Sequence, residues 1–160
     1  GGCINDIAIH GIDIISFAMG LRVKNVLAAR TWNAFATEKK DFKDSGQFMI
    51  ELSNGAGVIS DVSYSLPSGI AYGYPLRWEI FGSKGVLRFT THSKEIELYY
   101  DEEKQPIMLD LPEPKSGYWA EFIREIKGEK PFILTTEEII NSTKDTLKIQ
   151  SFADNMEAEK

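Results

Sequence analysis

The hydrophobic period changes along the chain. Residues 4–19 hold Ile4, Ile7, Ile9, Ile12, Ile14, Ile15, Phe17 and Met19, and they predict a helix over 5–19 that stops at Gly20, a common residue just past a helix end. Val23–Trp32 (VKNVLAARTW) reads as a strand. The polar segment 37–46 (TEKKDFKDSG) reads as a solvent loop whose charges serve solvation. Further strand-like runs follow: QFMIELS, GVISDVSYSL, LRWEIFG, VLRFTT, EIELYY and IMLDL. Asn54-Gly55 between the first two is a hairpin signal, and Ser83-Lys84-Gly85 turns the chain between LRWEIFG and VLRFTT. Leu76, Trp78 and Ile80 alternate with Arg77 and Glu79, as on a sheet with one buried face.

The period returns to helical near the end. YWAEFIREIKG is expected to bury Trp119, Phe122, Ile123 and Ile126 and to stop at Gly128. Thr135, with Glu138 three residues on, opens a last helix in a capping-box pattern, running through Ile139, Ile140, Leu147 and Phe152. Helix, many strands, two helices: this order predicts an α+β fold, an open, mostly antiparallel sheet with helices packed on one face and the other face free for oligomerisation. No repeat or linker divides residues 1–160, which read as a single domain.

The first helix poses a chemical question. Asp6, His10 and Asp13 stand at i, i+4 and i+7, one stripe of a helix turning every 3.6 residues. Burying them costs free energy unless they pair or face a cleft. They form either a satisfied internal network or the working end of a site.

Bulk properties narrow the classes. With 160 residues the chain can bury about 68–70% of its unfolded surface. It is 42% hydrophobic and 26% charged, with a net charge of -6 and no block of like charge, which argues against nucleic acid as a partner. The single cysteine, Cys3, excludes an internal disulfide framework and fits a reducing, cytoplasmic compartment. No apolar run has the roughly 18 residues of a membrane span. Neither G-x-G-x-x-G after a strand nor G-x-x-x-x-G-K-[ST] occurs, so no nucleotide-phosphate cradle is recognisable. A chain opening on Gly1 rather than Met is expected to be a piece of a longer protein. Gly1-Gly2 is then either left over from cloning or a tight turn before the helix.

GGCINDIAIHGID resembles the G-G-x-x-x-D-x-x-x-H-x-x-D motif of the glucose–fructose oxidoreductase and inositol dehydrogenase family (Gfo/Idh/MocA). LRWEIFGSKGVL resembles the family's E-x-x-G-x-x-G hairpin through Glu79, Gly82 and Gly85, and the segment from EFIREIKGEKPF to IQSF resembles its closing helices. The resemblance covers nearly the whole chain but only the second half of a full-length member. It implies that a dinucleotide-binding domain, with its phosphate loop and a catalytic Lys, precedes Gly1, and that NAD or NADP is bound mainly there. It implies a sugar, polyol or inositol-like substrate, with His10 as the base that removes the hydroxyl proton. Asp6 would orient the imidazole or bond the substrate hydroxyl, and Asp13 is read as structural. The resemblance further implies a homo-oligomer, dimer or tetramer, joined through the sheet, and a fragment inactive alone.

Other readings stand beside these. Asp6 and His10 could be a structural pair, or half a metal site that no second His or Cys cluster completes. Tyr72 and Tyr74 either pack a sheet edge or line the sugar site. Trp78 and Trp119 read as core, and Cys3 as an unreactive thiol. Phe48, Ile50, Val62 and Trp78 are candidates for either face of the sheet. A non-catalytic ligand-binding or regulatory protein, or a dimerisation module, could keep the same fold.

Overall fold

In a computed structural model, residues 2–39, 41–66, 69, 76–100, 102–114, 116–130 and 133–158 are described. The coordinates fall into two compact units, residues 1–67 with 116–160, and residues 68–115.

In the first unit a π turn (Ile4–Ala8) leads directly into helix α1 (Ile9–Met19). Gly20 ends the helix at φ 65°, its N–H bonded to the Ser16 carbonyl. Strands β1 (Val23–Trp32), β2 (Ser45–Leu52) and β3 (Gly57–Ser63) form an antiparallel sheet in the order β1-β2-β3. The β2–β3 turn is the expected Asn54-Gly55 hairpin: Gly55 has φ 87°, and the Asn54 side chain accepts the Ala56 N–H at 3.0 Å.

Helix α2 (Tyr118–Ile126) and helix α3 (Thr136–Ala158) complete this unit. Thr135 and Glu138 make the capping box, Thr135 N–H donating to Glu138 Oε2 at 2.7 Å and Glu138 N–H to Thr135 Oγ1 at 3.2 Å. α3 packs on β1, α1 and the π turn. Arg22 and Asp145 lock that packing in a two-bond fork of 2.7 and 3.1 Å, and Asp145 also accepts the Val23 N–H at 3.1 Å. Phe48, Ile50 and Val62, together with Ile4, Ile12 and Ile149, form the core. Across the opposite face run Ala28, Met49 and Ile59, paired strand to strand. Ile59 there is 84% exposed.

The second unit is the antiparallel sheet β4 (Arg77–Gly82), β5 (Gly85–Thr90), β6 (Glu95–Tyr100) and β7 (Ile107–Asp110), in that order. The antiparallel strands of the expected α+β fold are thus divided between two ladders. Gly85 is obligatory at its turn, because a Cβ there would lie 2.1 Å from the Tyr99 carbonyl oxygen. One face pairs Trp78 with Phe89, Ile80 with Leu87, Leu87 with Leu98 and Ile96 with Leu109. The other carries Arg88, ion-paired to Glu79 at 3.0 Å and Glu97 at 3.8 Å.

Three expectations are corrected. α2 forms where predicted, but Trp119 is 72% exposed, and Phe122, Ile123 and Ile126 are exposed with it. The residue it buries is Glu121, whose carboxylate accepts the Ile133 N–H at 3.1 Å. Apolar spacing made the helix amphipathic, but a polar anchor holds it. Trp78 is half-buried rather than core. The loop over 37–46 does more than hydrate: Asp44 is buried, and its carboxylate accepts the N–H groups of Ala34, Phe35 and Ala36 at 2.7–2.8 Å.

Candidate functional site

The site begins with the seating of the π turn. Gly2, at φ 120°, turns the chain with a backbone that favours glycine. Cys3 N–H then bonds the Lys43 carbonyl at 3.1 Å. Cys3 and Ile4 are fully buried against β2 at Gly46, where a Cβ would lie 3.0 Å from both Cys3 Sγ and Ile4 Cγ1. A Cβ there would be tighter than ordinary packing, and both groups it meets are fully buried. Glycine at 46 therefore lets the turn sit on the sheet without displacing Cys3 or Ile4. Ile4, Ala8, Ile12 and Ile15 follow one another along the buried side of the turn and α1.

Asp6 and His10 fall outside that stripe, and both are exposed. The desolvation cost that made the sequence puzzling is therefore avoided. No hydrogen bond joins the two side chains, and the His10 ring has no hydrogen-bond partner among the described residues. Asp6 instead accepts the Tyr64 hydroxyl, Oη to Oδ2 2.5 Å. Asp13, half-buried, is structural: its Oδ1 accepts the Ser142 hydroxyl at 2.8 Å and ties α1 to α3.

Tyr64 is the residue that sequence reasoning missed. It directly follows β3, its N–H bonded to the Asp44 carbonyl at 2.8 Å and its ring 5.2 Å from that of Phe42. The available signal was an aromatic at a strand end just before the loop that drew attention to Tyr72 and Tyr74. Those two tyrosines lie outside the described residues.

Around the site the other candidates are quiet. Burial pushes the Cys3 thiol up to about 11, which keeps it protonated and unreactive at neutral pH. Asp44 is held well below the usual carboxylate range, chiefly by the Ala34 and Ala36 N–H groups, as suits an anchor rather than a proton carrier. Among the described residues no group of three His, Cys, Asp or Glu side chains could hold a metal ion. No helix among them is long and apolar enough to cross a membrane. Their glycines at positive φ mark the turn before Ile4, helix ends and hairpin turns.

The arrangement is that of an α+β sheet domain presenting an exposed imidazole and an exposed carboxylate from a helix seated on the sheet. Residues 1–88 match the GFO/IDH/MocA C-terminal domain, and the chain belongs to that family. A comparison with curated proteins finds no match. Among solved structures, one from Thermotoga maritima is 24% identical with a TM-score of 0.82, covering 96% of this chain and 45% of that one. UDP-N-acetylglucosamine 3-dehydrogenase from Acidithiobacillus ferrooxidans is 16% identical with a TM-score of 0.75, over 96% and 47%. An oxidoreductase from Agrobacterium radiobacter, solved with NAD+, L-tartaric acid and magnesium, is 22% identical with a TM-score of 0.65, over 94% and 46%. The chain thus spans a little under half the length of these proteins.

Proposed function

We propose that this chain is the substrate-binding and oligomerisation domain of an NAD- or NADP-dependent oxidoreductase acting on a hydroxyl of a sugar, polyol or inositol-like substrate. One observation carries the reading: Asp6 and His10 are exposed at the start of a helix whose other side is fixed in the core, and the imidazole has no hydrogen-bond partner among the described residues. A structural pair would satisfy itself, whereas a general base needs a free nitrogen. Membership of the family supports the reading. So do relatives named as a UDP-N-acetylglucosamine dehydrogenase and as an oxidoreductase bound to NAD+.

His10 takes the proton of the substrate hydroxyl as a general base. Asp6 accepts a hydrogen bond from the same or a neighbouring hydroxyl. Tyr72 and Tyr74 are proposed to bind the sugar. The nicotinamide supplies hydride acceptance and belongs to a dinucleotide-binding domain outside residues 1–160, which act together as one C-terminal domain. Alone, this chain binds neither cofactor tightly and turns over no alcohol. It works in the cytoplasm as a homo-oligomer joined through the open face of the β1–β3 sheet, where Met49 and Ile59 are uncovered.

The test is His10→Ala in the full-length enzyme. Turnover should fall roughly 100- to 10,000-fold, with circular dichroism unchanged and cofactor affinity intact. A folded variant with near-normal kcat removes His10 from the mechanism.

A further inference from the structure

We propose that Tyr64 is a positioning residue for substrate: by holding one oxygen of Asp6, it turns the other toward a substrate hydroxyl instead of toward His10. This rests on the reading of Asp6 and His10 given above. An ionised carboxylate is an acceptor with two oxygens. Left to itself, Asp6 could swing toward His10, its neighbour at i+4. The Tyr64 hydroxyl donates to Oδ2 at 2.5 Å. Oδ1 makes no hydrogen bond among the described residues.

The donor is itself fixed. Tyr64 N–H is tied to the Asp44 carbonyl, its ring packs on Phe42 with the planes tilted by 30°, and the Asp44 carboxylate is pinned by backbone donors. The aim of Asp6 therefore comes from β3 and the 33–44 loop rather than from its own helix. The work divides: His10 handles the proton, and Asp6, steered by Tyr64, reads the hydroxyl. Such an acceptor binds ground state and transition state alike, so its loss is expected in KM more than in kcat.

The probe is myo-inositol, a ring with a hydroxyl on every carbon. Titrated into this chain, it should move the NMR signals of the Asp6 carboxylate carbon and the His10 ring. Tyr64→Phe keeps the ring on Phe42 and removes the donor, and should raise the dissociation constant about tenfold, the scale of one hydrogen bond to a charged group. In the full-length enzyme the same substitution should raise KM about tenfold while kcat changes less than about threefold. Phe42→Leu, which loosens the Tyr64 ring without touching Asp6, should give a smaller rise in the same direction and serves if Tyr64→Phe fails to fold. An unchanged dissociation constant in folded Tyr64→Phe, even with a lowered melting temperature, overturns the role of Tyr64 alone. Wild-type signals at Asp6 and His10 that ignore the probe overturn the reading beneath it.

Discussion

In the β1–β3 sheet, Phe48, Ile50 and Leu52 alternate with Gln47, Met49 and Glu51, and the apolar set is buried on the side where α3 and the π turn lie. In the β4–β7 sheet Trp78, Ile80, Leu87, Phe89, Ile96 and Leu98 likewise share one face, while Phe81, Val86, Tyr99 and Met108 lie on the other with the charged residues. Yet none of its described residues is buried. Alternation along a strand decides which face is apolar, because successive side chains point to opposite sides. Whether that face is dry depends on what the rest of the chain, or another molecule, lays over it. The first sheet is covered by a helix that polar bonds hold in place: Arg22 to Asp145, Ser142 to Asp13, and the Lys148 ammonium to the Lys24 carbonyl at 2.6 Å.

The contrast can be broken most directly by making the same kind of cut in both sheets. Ile50→Ala, at a side chain with no exposed surface, should cost about 2–5 kcal/mol in denaturant unfolding. Leu87→Ala, at a half-buried position, should cost about 1 kcal/mol or less if that face stays uncovered. Equal losses would mean that something dries the second sheet as thoroughly as α3 dries the first.

Next in size is Arg22→Ala, which leaves the buried Asp145 carboxylate with the Val23 N–H as its remaining hydrogen-bond donor among the described residues. A loss of about 1–3 kcal/mol is expected, and a chemical melt that does not shift would deny the ion pair any part in holding α3.

A smaller and pH-dependent effect is expected at Asp44. Its folded value lies below its unfolded one, so its contribution is complete above the unfolded-state value of roughly 3.9. It is lost as pH falls through the range beneath. Asp44→Asn should therefore flatten the acid limb of melting temperature against pH, whereas an unchanged limb would assign acid sensitivity elsewhere. The least effect belongs to Lys24→Ala, which removes an exposed pair with Glu51 and should leave the melting temperature where it was.

Local signals were legible, and non-local ones were not. β1 and β6 begin and end where the strand patterns do, Gly20 closes α1, and Thr135 with Glu138 caps α3, because each depends on neighbours a few residues away. Asp6 and His10 were legible as candidates through their spacing and the family motif. Their exposure and their separation were not, since the seating of the π turn depends on Gly46, distant in sequence. Tyr64 was hidden for the same reason: its partner lies 58 residues earlier. The anchoring by Asp44 and the exposed face of α2 likewise depend on tertiary neighbours that no window of sequence contains.

The π turn over Ile4–Ala8 has one further consequence, in the arithmetic of chain length. A π turn is an α-helix carrying one residue more than it needs. Deleting Ile7 would give the segment the means to relax into a regular helix while Ile4 stays on Gly46 and Ile12 stays in the core. Each residue of an α-helix turns the axis by about 100°. Asp6 and His10 would then stand at i, i+3 rather than i, i+4, still neighbours on the helix surface, so the extra residue sets the spacing of the pair and not its face. The identity of the site is thus spelled by two letters, but its register is kept by a count.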